Sequence, residues 1–289
     1  YERKVRGTWN GSYPHDETDI NAHCTIEPEF NPPWTTMTEA VDAACILLSV
    51  GVPVVCFKLD LRRAYTQMVH QTTQRWRQCA YWAWVDEHNV LHSGFHTDGR
   101  AMWGLRVIGC TFHRAITTIT VKYVLKELRE QWLPNIQSPA ARRWSTNRLQ
   151  DGMEGDQVSP AIIQAFLDDF WIFIASDCQC DVDLAHSIVL KAFKFLGWQL
   201  SMSKYEEEGL PKPTATILGH DIDLSGATRV VSASKKLRLR HDGDKFLKAE
   251  YCNRSTLGKW LGLAQFARYD VARKVNFQPL YAAYHAGDP

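Results

Sequence analysis

Hydrophobic and polar residues follow one another along this chain with two distinct spacings. In some segments apolar residues recur every three or four positions, which is typical of amphipathic helices. In others, apolar and β-branched residues form short runs bounded by glycine, proline or aspartate, which is typical of strands. A Thr36–Glu39 capping box marks the start of the first helix, and Gly51 marks its end. The pattern predicts helices over residues 36–50, 111–131, 183–196, 233–249 and 255–268, the last capped by Ser255, and strands over residues 53–59, 78–85, 162–167, 170–174, 198–202 and 214–224.

One long segment, residues 133–159, follows neither spacing. It is rich in proline, asparagine, serine and glycine, which mark turns and loops. Long segments of this kind in a compact chain are usually either disordered or functional. We therefore expect a polar insertion at the surface, with both of these alternatives open.

Charge and cysteine content exclude few possible functions. The 289 residues carry 33 Lys and Arg against 32 Asp and Glu, and this balance neither requires nor excludes a nucleic-acid partner. Basic clusters at Arg3–Arg6, Arg142–Arg148 and Lys235–Lys248 permit a phosphate-binding surface, although a charge run is more often a solvated face. The eight cysteines lack C-x-x-C spacing, which predicts reduced, intracellular packing cysteines. No apolar stretch is long enough to span a membrane, and the chain begins at Tyr1, which indicates an excerpt of a longer protein.

Two adjacent carboxylates, Asp168 and Asp169, lie between apolar runs, and Asp60 ends another apolar run upstream. Taken alone, one Asp-Asp pair is expected by chance in a chain of this length, and aspartate favours tight turns. Buried charges are expensive unless they are paired or bind a cation. Together the three aspartates therefore predict either a hairpin tip or a metal-dependent enzyme.

The order of these features resembles the palm of reverse transcriptases from about Lys4 to about Leu280, and most closely those of DIRS-like and related retrotransposons. Phe166–Asp169 is similar to the family's Tyr/Phe-x-Asp-Asp, and Ala64-Tyr65 follows Asp60 as the family's Ala-Tyr pair does. The resemblance implies an α+β, right-hand polymerase fold with an antiparallel palm sheet, fingers and a partial helical thumb. The implied boundaries are residues 1–35 and 66–103 for the fingers, 36–65 and 104–232 for the palm, including the polar insertion, and 233–289 for the thumb-like region.

The resemblance also implies site residues. Asp60, Asp168 and Asp169 are the expected catalytic carboxylates, with Lys204 near the pyrophosphate. The expected metal-binding residues are Asp60, Leu61, Asp168 and Asp169. The expected substrate-binding residues are Lys4, Arg6, Leu61, Tyr65, Gly104, Arg106 and Phe166, and the expected nucleic-acid-binding residues are Leu218, Gly219, Lys235 and Lys236.

The implied activity is RNA-directed DNA polymerisation, with dNTPs and a primed RNA or DNA template as partners. Transfer of a nucleotide to a primer 3′-hydroxyl uses two Mg²⁺ ions, held by hard oxygen ligands such as carboxylates, with Mn²⁺ as a substitute. Tyr65 is expected to lie under the incoming sugar, where a ribose 2′-hydroxyl would collide with its ring. This expectation disfavours one alternative function, that of an RNA-dependent RNA polymerase.

Two departures from the family pattern keep another function open. Met102-Trp103 replaces the usual Pro-Phe before Gly104, and Gly109-Cys110 replaces a common Ser/Ala-Pro pair. The alternative is a catalytically decayed or domesticated domain that keeps the fold and binds nucleic acid or protein. Retention of three clustered carboxylates, which are unfavourable without a partner, argues against decay.

Overall fold

The structure, a computed structural model, describes residues 35–68, 79–97, 106–248, 253–267 and 278–286. The chain divides into two compact units, Tyr1–Pro211 and Lys212–Pro289. In the described ranges, nine α-helices combine with three antiparallel sheets, which confirms the expected mixture of helices and antiparallel strands. The described helices include none that is long and apolar enough to cross a membrane.

The first unit contains six of these helices and two of the sheets. Its helices are α1 (Met37–Leu48), α2 (Arg106–Thr111), α3 (Thr118–Glu127), α4 (Pro139–Gln150), α5 (Gln179–Phe195) and α6 (Met202–Glu208). Its strands are β1 (Val54–Asp60), β2 (Cys79–Val85), β3 (Leu91–Thr97), β4 (Ala161–Phe166) and β5 (Asp169–Ala175).

The core of the first unit is a three-stranded sheet in the order β1-β5-β4. Residues 170–175 of the central strand are all buried, as expected for a continuous apolar run that is covered on both faces. Helix α5 covers one face, where Phe193 packs edge-on against Phe170 at 5.0 Å between ring centroids, and His186 packs against Phe57 at 4.7 Å. Burial of each large apolar side chain contributes about 1.5–3 kcal/mol, so this face is a major source of stability.

The first predicted helix is confirmed in detail. Thr36 accepts a hydrogen bond from the Glu39 backbone N–H, and the Glu39 carboxylate accepts one from the Thr36 N–H. Gly51 follows the helix with a φ of 80°, a conformation that glycine adopts without strain. The strand predicted over residues 53–59 also forms, and its last residue is Asp60.

The predicted helix over residues 111–131 forms as part of a longer helical run from Arg106 to Trp132. Two stretches of it, Phe112–Thr117 and Leu128–Trp132, have π-helical hydrogen bonding. Such insertions are rare in helices and are frequent beside functional sites. The first of them lies next to the aspartate cluster described below.

The polar insertion is partly helical. It contains α4, whose first helical residue is Pro139 and whose N-cap is Ser138, with the Ser138 hydroxyl accepting from the Ala141 N–H. The buried carboxylate of Asp181 accepts backbone N–H groups from Gln137 at 2.7 Å and from Ser138 at 2.9 Å. These bonds fix the start of α4 to the start of α5.

Three further predictions were wrong in part. The strand over residues 198–202 is reduced to one bridge between Leu200 and Leu61, and Met202 already begins α6. The strand over residues 214–224 is in fact a hairpin of two strands. The last predicted helix is capped by Asn253, whose side chain accepts from the Thr256 N–H, and not by Ser255.

The described residues of the second unit form a three-stranded antiparallel sheet and three helices. The predicted helix at residues 233–249 is confirmed to Lys248, and Trp260 packs edge-on against Phe246 at 5.6 Å. The sheet consists of β6 (Thr214–Ile217), β7 (His220–Asp223) and β8 (Thr228–Val231), and the helices are α7 (Ala233–Lys248), α8 (Arg254–Ala267) and α9 (Gln278–Ala286).

Candidate active site

The pairing of β1 with β5 brings two of the three predicted carboxylates together. In this antiparallel register Asp60 lies directly opposite Asp169. Directly opposed residues point to the same face of a sheet, with Cβ atoms about 4.5–5.5 Å apart. Asp168 lies in the turn that precedes Asp169, and its carbonyl accepts the Leu61 N–H at 3.2 Å, so all three aspartates meet at one end of the sheet.

The turn between β4 and β5 is strained, and the π-helical stretch holds it. Leu167 has a φ of 57°, which is unfavourable for a residue with a branched side chain by about 1–2 kcal/mol. The Thr117 hydroxyl donates to the Leu167 carbonyl at 2.6 Å, and the Nδ1 of His113 accepts the Leu167 N–H at 3.3 Å. Both backbone groups of the strained residue are therefore bound by one helix face, which fixes the position of Asp168.

Two lysines balance part of the negative charge. The ammonium group of Lys204, near the start of α6, donates a hydrogen bond to Oδ2 of Asp60. Lys58 of β1 lies 3.4 Å from Oδ1 of Asp169 and 3.3 Å from Oε2 of Glu208, at the end of α6. Helix α6 therefore touches the site at both of its ends.

The electrostatics of the site follow from partial burial of like charges. Burial, together with the charge of Asp60, raises the pKa of Asp168 above its ordinary value. Burial raises the pKa of Asp169 to about 6, against the opposing charge of Lys58 and with the support of its carboxylate neighbours. For Lys204, burial lowers the pKa, but the hydrogen bond and charge of Asp60 outweigh burial and raise it overall. Carboxylates in such surroundings repel one another, and a bound cation would offset that repulsion.

Tyr65 lies beside this cluster. Its side chain is only 3% exposed, and its ring packs edge-on against Phe112 at 5.1 Å between centroids. Burial and the nearby charge of Asp168 raise the pKa of Tyr65 to about 12. The phenol oxygen lies 3.9 Å from the position that a Cβ would take on Gly109, which is an ordinary van der Waals distance.

The remaining predicted residues of the first unit divide into three groups. Phe166 pairs directly with Asp169 across the β4–β5 turn. The Leu61 side chain is buried, and since a leucine side chain has no metal-binding atom, the expected metal contact could come only from its backbone carbonyl. Arg106 begins α2, and its side chain is not among those described, while Lys4, Arg6 and Gly104 lie outside the described residues.

The predicted nucleic-acid-binding residues lie in the second unit, and three of them adjoin one another. Leu218 and Gly219 form the turn between β6 and β7, with φ values of 47° and 81°. A Cβ on Gly219 would lie 3.2 Å from Cε of Lys235 and 3.3 Å from Cζ of Phe266. The Lys235 stem therefore crosses the turn, and a side chain at position 219 would displace it. Lys236, the next residue of α7, is exposed.

The aspartate cluster fits a hard divalent cation in its chemistry. Mg²⁺ prefers carboxylate oxygens, usually with several waters or phosphate oxygens completing an octahedron. Oδ1 of Asp169 is buried and accepts no aligned hydrogen bond from the described residues, although the Lys58 ammonium group lies 3.4 Å away. The ammonium groups of Lys58 and Lys204 lie beside the carboxylate oxygens of Asp169 and Asp60. A cation could bind these oxygens only if both ammonium groups moved away from them.

A different group, which includes none of the three aspartates of the cluster, brings three potential metal ligands close together. Among the described residues, Cys178, Cys180 and Asp181 form the one triad of potential ligands whose donor atoms all lie within 4.8 Å of one another. The Asp181 carboxylate already accepts from two backbone N–H groups and from the Ser176 hydroxyl at 2.7 Å. Two thiols without a free carboxylate do not complete a metal site, so we assign Asp181 a structural role.

A cavity of about 440 Å³ opens between α5 and α6. Its lining is mostly apolar and includes Phe193, Trp198 and Met202, and none of the three aspartates contributes to it. Binding sites for small molecules combine apolar walls with a few converging polar groups. The cavity is therefore separate from the aspartate cluster.

Four residues of the site escaped the sequence analysis: Lys58, His113, Thr117 and Glu208. Lys58 precedes Asp60 by two positions in a strand, and this spacing alone places both side chains on the same face. His113 and Thr117 are four residues apart in a helix, which also indicates a shared face. Their common partner, Leu167, could not be found from spacing because it lies far away in the sequence.

Comparisons with known proteins neither support nor oppose these assignments. No protein-family model and no curated protein matches this chain.

Proposed function

We propose that this protein is an RNA-directed DNA polymerase of a retroelement, which transfers nucleotides from dNTPs to a primer 3′-hydroxyl. The observation that carries the proposal is the direct pairing of Asp60 with Asp169 beside Asp168, at the end of an antiparallel sheet. The two sequence motifs that resemble reverse transcriptases are distant along the chain, yet they meet at one point. Chance aspartates in separate turns have no reason to do so.

The proposed fold is the right-hand polymerase fold. The β1-β5-β4 sheet with α1 and α5 would be the palm, and the β2–β3 hairpin would belong to the fingers. The helices of the second unit would form the start of the thumb. The mixture of helices with small antiparallel sheets is consistent with this assignment.

In the proposed reaction each residue has a separate task. Asp60 and Asp168 would hold two Mg²⁺ ions, and Asp169 and the Leu61 backbone carbonyl would supply further oxygen ligands. The ions would supply charge neutralisation and an activated 3′-hydroxyl. Lys204, near the cluster, would donate a proton or a hydrogen bond to the departing pyrophosphate. Tyr65 would support the deoxyribose ring.

The decisive experiment is primer extension on an RNA template with dNTPs and Mg²⁺. Asp60→Asn and Asp168→Asn should each lower kcat by at least about 10³-fold, since each removes a preorganised electrostatic group. Asp183→Asn is the matched control, because Asp183 is exposed on α5 and hydrogen-bonds only to Gln179 among the contacts described. This control should extend primers at the wild-type rate.

Two results would contradict the proposal. An Asp60→Asn or Asp168→Asn variant that keeps more than about a tenth of wild-type extension would remove the two-metal assignment. A folded wild-type protein that binds a primed template but never extends it would favour the decayed or domesticated alternative. Thermal melting of each variant shows whether a loss of activity reflects unfolding.

A further inference from the structure

Lys58 lies within the aspartate cluster, although no role follows for it from the sequence motifs. It is on the same face of β1 as Asp60, and it is diagonal to Asp169 across the β1–β5 pair. Its side chain is only 16% exposed. A largely buried ammonium group is unfavourable by several kcal/mol unless it is paired, so its partners are informative.

The two partners of Lys58 are almost equally distant. Its Nζ lies 3.4 Å from Oδ1 of Asp169 and 3.3 Å from Oε2 of Glu208. Oδ1 of Asp169 is nonetheless without an aligned hydrogen bond from any described residue. The contact with Asp169 therefore supplies charge without occupying the oxygen in a directed bond.

We propose that Lys58 is a positioning residue that balances the charge of Asp169 in the cation-free site and moves to Glu208 alone when a divalent cation binds. This inference rests on the proposed two-metal function. The movement needs only a rotation at the end of the lysine side chain, because Glu208 is already in contact. Glu208 thus keeps the buried ammonium group paired in both states.

Cation binding and the Lys58–Asp169 contact exclude each other in this scheme. Removal of the lysine charge removes a competitor and should strengthen cation binding. Removal of the Glu208 charge leaves Asp169 as the only ion-pair partner of the lysine among the described residues, and it should weaken cation binding. The second effect requires a positive charge at position 58, and this requirement separates the proposal from simple long-range electrostatics.

The test is a titration of the full chain with Mn²⁺ in the absence of nucleotide, in which electron paramagnetic resonance reports the free ion. Lys58→Met should raise Mn²⁺ affinity, and Glu208→Gln should lower it, each by about 5-fold or more, as coupled sites typically do. Glu208→Gln should have less than about a 2-fold effect in the Lys58→Met background, because interacting residues are not additive. In a Lys58→Arg background, its full effect should return.

Glu206→Gln is the matched control for charge. Glu206 is exposed on the same helix, two positions from Glu208. Its removal changes the net charge equally but should alter Mn²⁺ affinity by less than about 2-fold, since exposed charges are screened by salt. Equal effects of Glu206→Gln and Glu208→Gln would overturn the proposal, as would an unchanged effect of Glu208→Gln in the Lys58→Met background.

Different results would contradict the proposed metal site itself. If wild-type protein binds no Mn²⁺, or if Asp60→Asn leaves Mn²⁺ binding unchanged, the proposed function and this inference both fall. If Asp60→Asn abolishes binding while the Lys58 and Glu208 variants behave as wild type, only the inference falls. If Lys58→Met does not fold, as judged by its melting curve, Lys58→Gln takes its place in the same comparison.

Discussion

At the scale of single residues, Tyr65 is the side chain that we expect to select the sugar in the proposed enzyme. Its ring is buried against Phe112, and its environment includes the charge of Asp168, so the ring is held next to the carboxylates. A rigid ring beneath the sugar rejects a 2′-hydroxyl by collision. Collisions discriminate between substrates more strongly than missing contacts do.

We predict that Tyr65→Ala narrows the preference for dNTP over rNTP by about 10-fold or more, because the alanine removes the steric barrier. The same change should lower kcat, since the sugar loses its support. Single-nucleotide incorporation with paired dNTP and rNTP substrates measures both effects. Tyr65→Phe is the control that keeps the ring, and it should retain the wild-type preference. An unchanged preference in Tyr65→Ala would mean that the ring serves only as core packing.

At the scale of elements, the π-helical stretch Phe112–Thr117 explains how a strained turn stays in place. A strained residue persists only when its surroundings determine its conformation, and such residues cluster at functional sites. Here the helix supplies a donor, Thr117, and an acceptor, His113, to the two backbone groups of Leu167. The helix thereby sets the position of the adjacent Asp168.

We predict that Thr117→Val lowers the free energy of unfolding by about 0.5–1.5 kcal/mol, the usual contribution of one hydrogen bond. Extension activity should fall by a larger factor than this small destabilisation explains, because the Asp168 carboxylate is no longer held in place. Denaturant unfolding and primer extension measure the two effects. Thr118→Val is the matched control, because the Thr118 hydroxyl donates to the His113 backbone carbonyl in the same helical run and not to the Leu167 turn. A variant at position 117 with full activity would show that the turn is fixed by the sheet alone.

Much of the element pattern could be predicted because its signals are local. The capping box at Thr36 and the apolar run before Asp60 each lie within a few residues of the structure they specify. Helix α4 has a comparable local signal, because Ser138 is a serine cap and Pro139 is a proline at the first helical position. This helix was not predicted because the segment is mostly polar and has no apolar periodicity. Helix α6 was missed because seven residues with three consecutive glutamates show little apolar periodicity.

The candidate site was predictable in part for a related reason. The identities of Asp60, Asp168, Asp169 and Lys204 come from motifs, whereas the register that sets Asp60 against Asp169 is a contact between distant segments. The pairing of Lys58 with Glu208 depends on where α6 packs against β1, and no sequence spacing encodes that position. Local patterns therefore predicted the carboxylates, and tertiary packing determined their counter-ions.

At the scale of the whole molecule, the near-neutral net charge makes local clusters the source of any affinity for nucleic acid. Helix α7 of the second unit carries one such cluster, and the Lys235 stem lies against the Leu218–Gly219 turn. A nucleic-acid duplex held by its backbone binds with little sequence preference and releases counter-ions as it binds. Affinity should then fall steeply as salt concentration rises.

We predict that Lys235→Glu combined with Lys236→Glu weakens binding to an RNA–DNA hybrid and makes the slope of log affinity against log salt shallower by about 1–2, because up to two phosphate contacts are lost. Filter binding or fluorescence anisotropy over a range of salt concentrations measures the slope, with several unrelated sequences to test for specificity. Lys245→Glu combined with Lys248→Glu is the matched control, since it makes the same change in net charge at the other end of α7, where both lysines are exposed. If both double variants change the slope equally, the effect is not specific to the surface beside Gly219. If neither changes it, α7 does not contact the duplex.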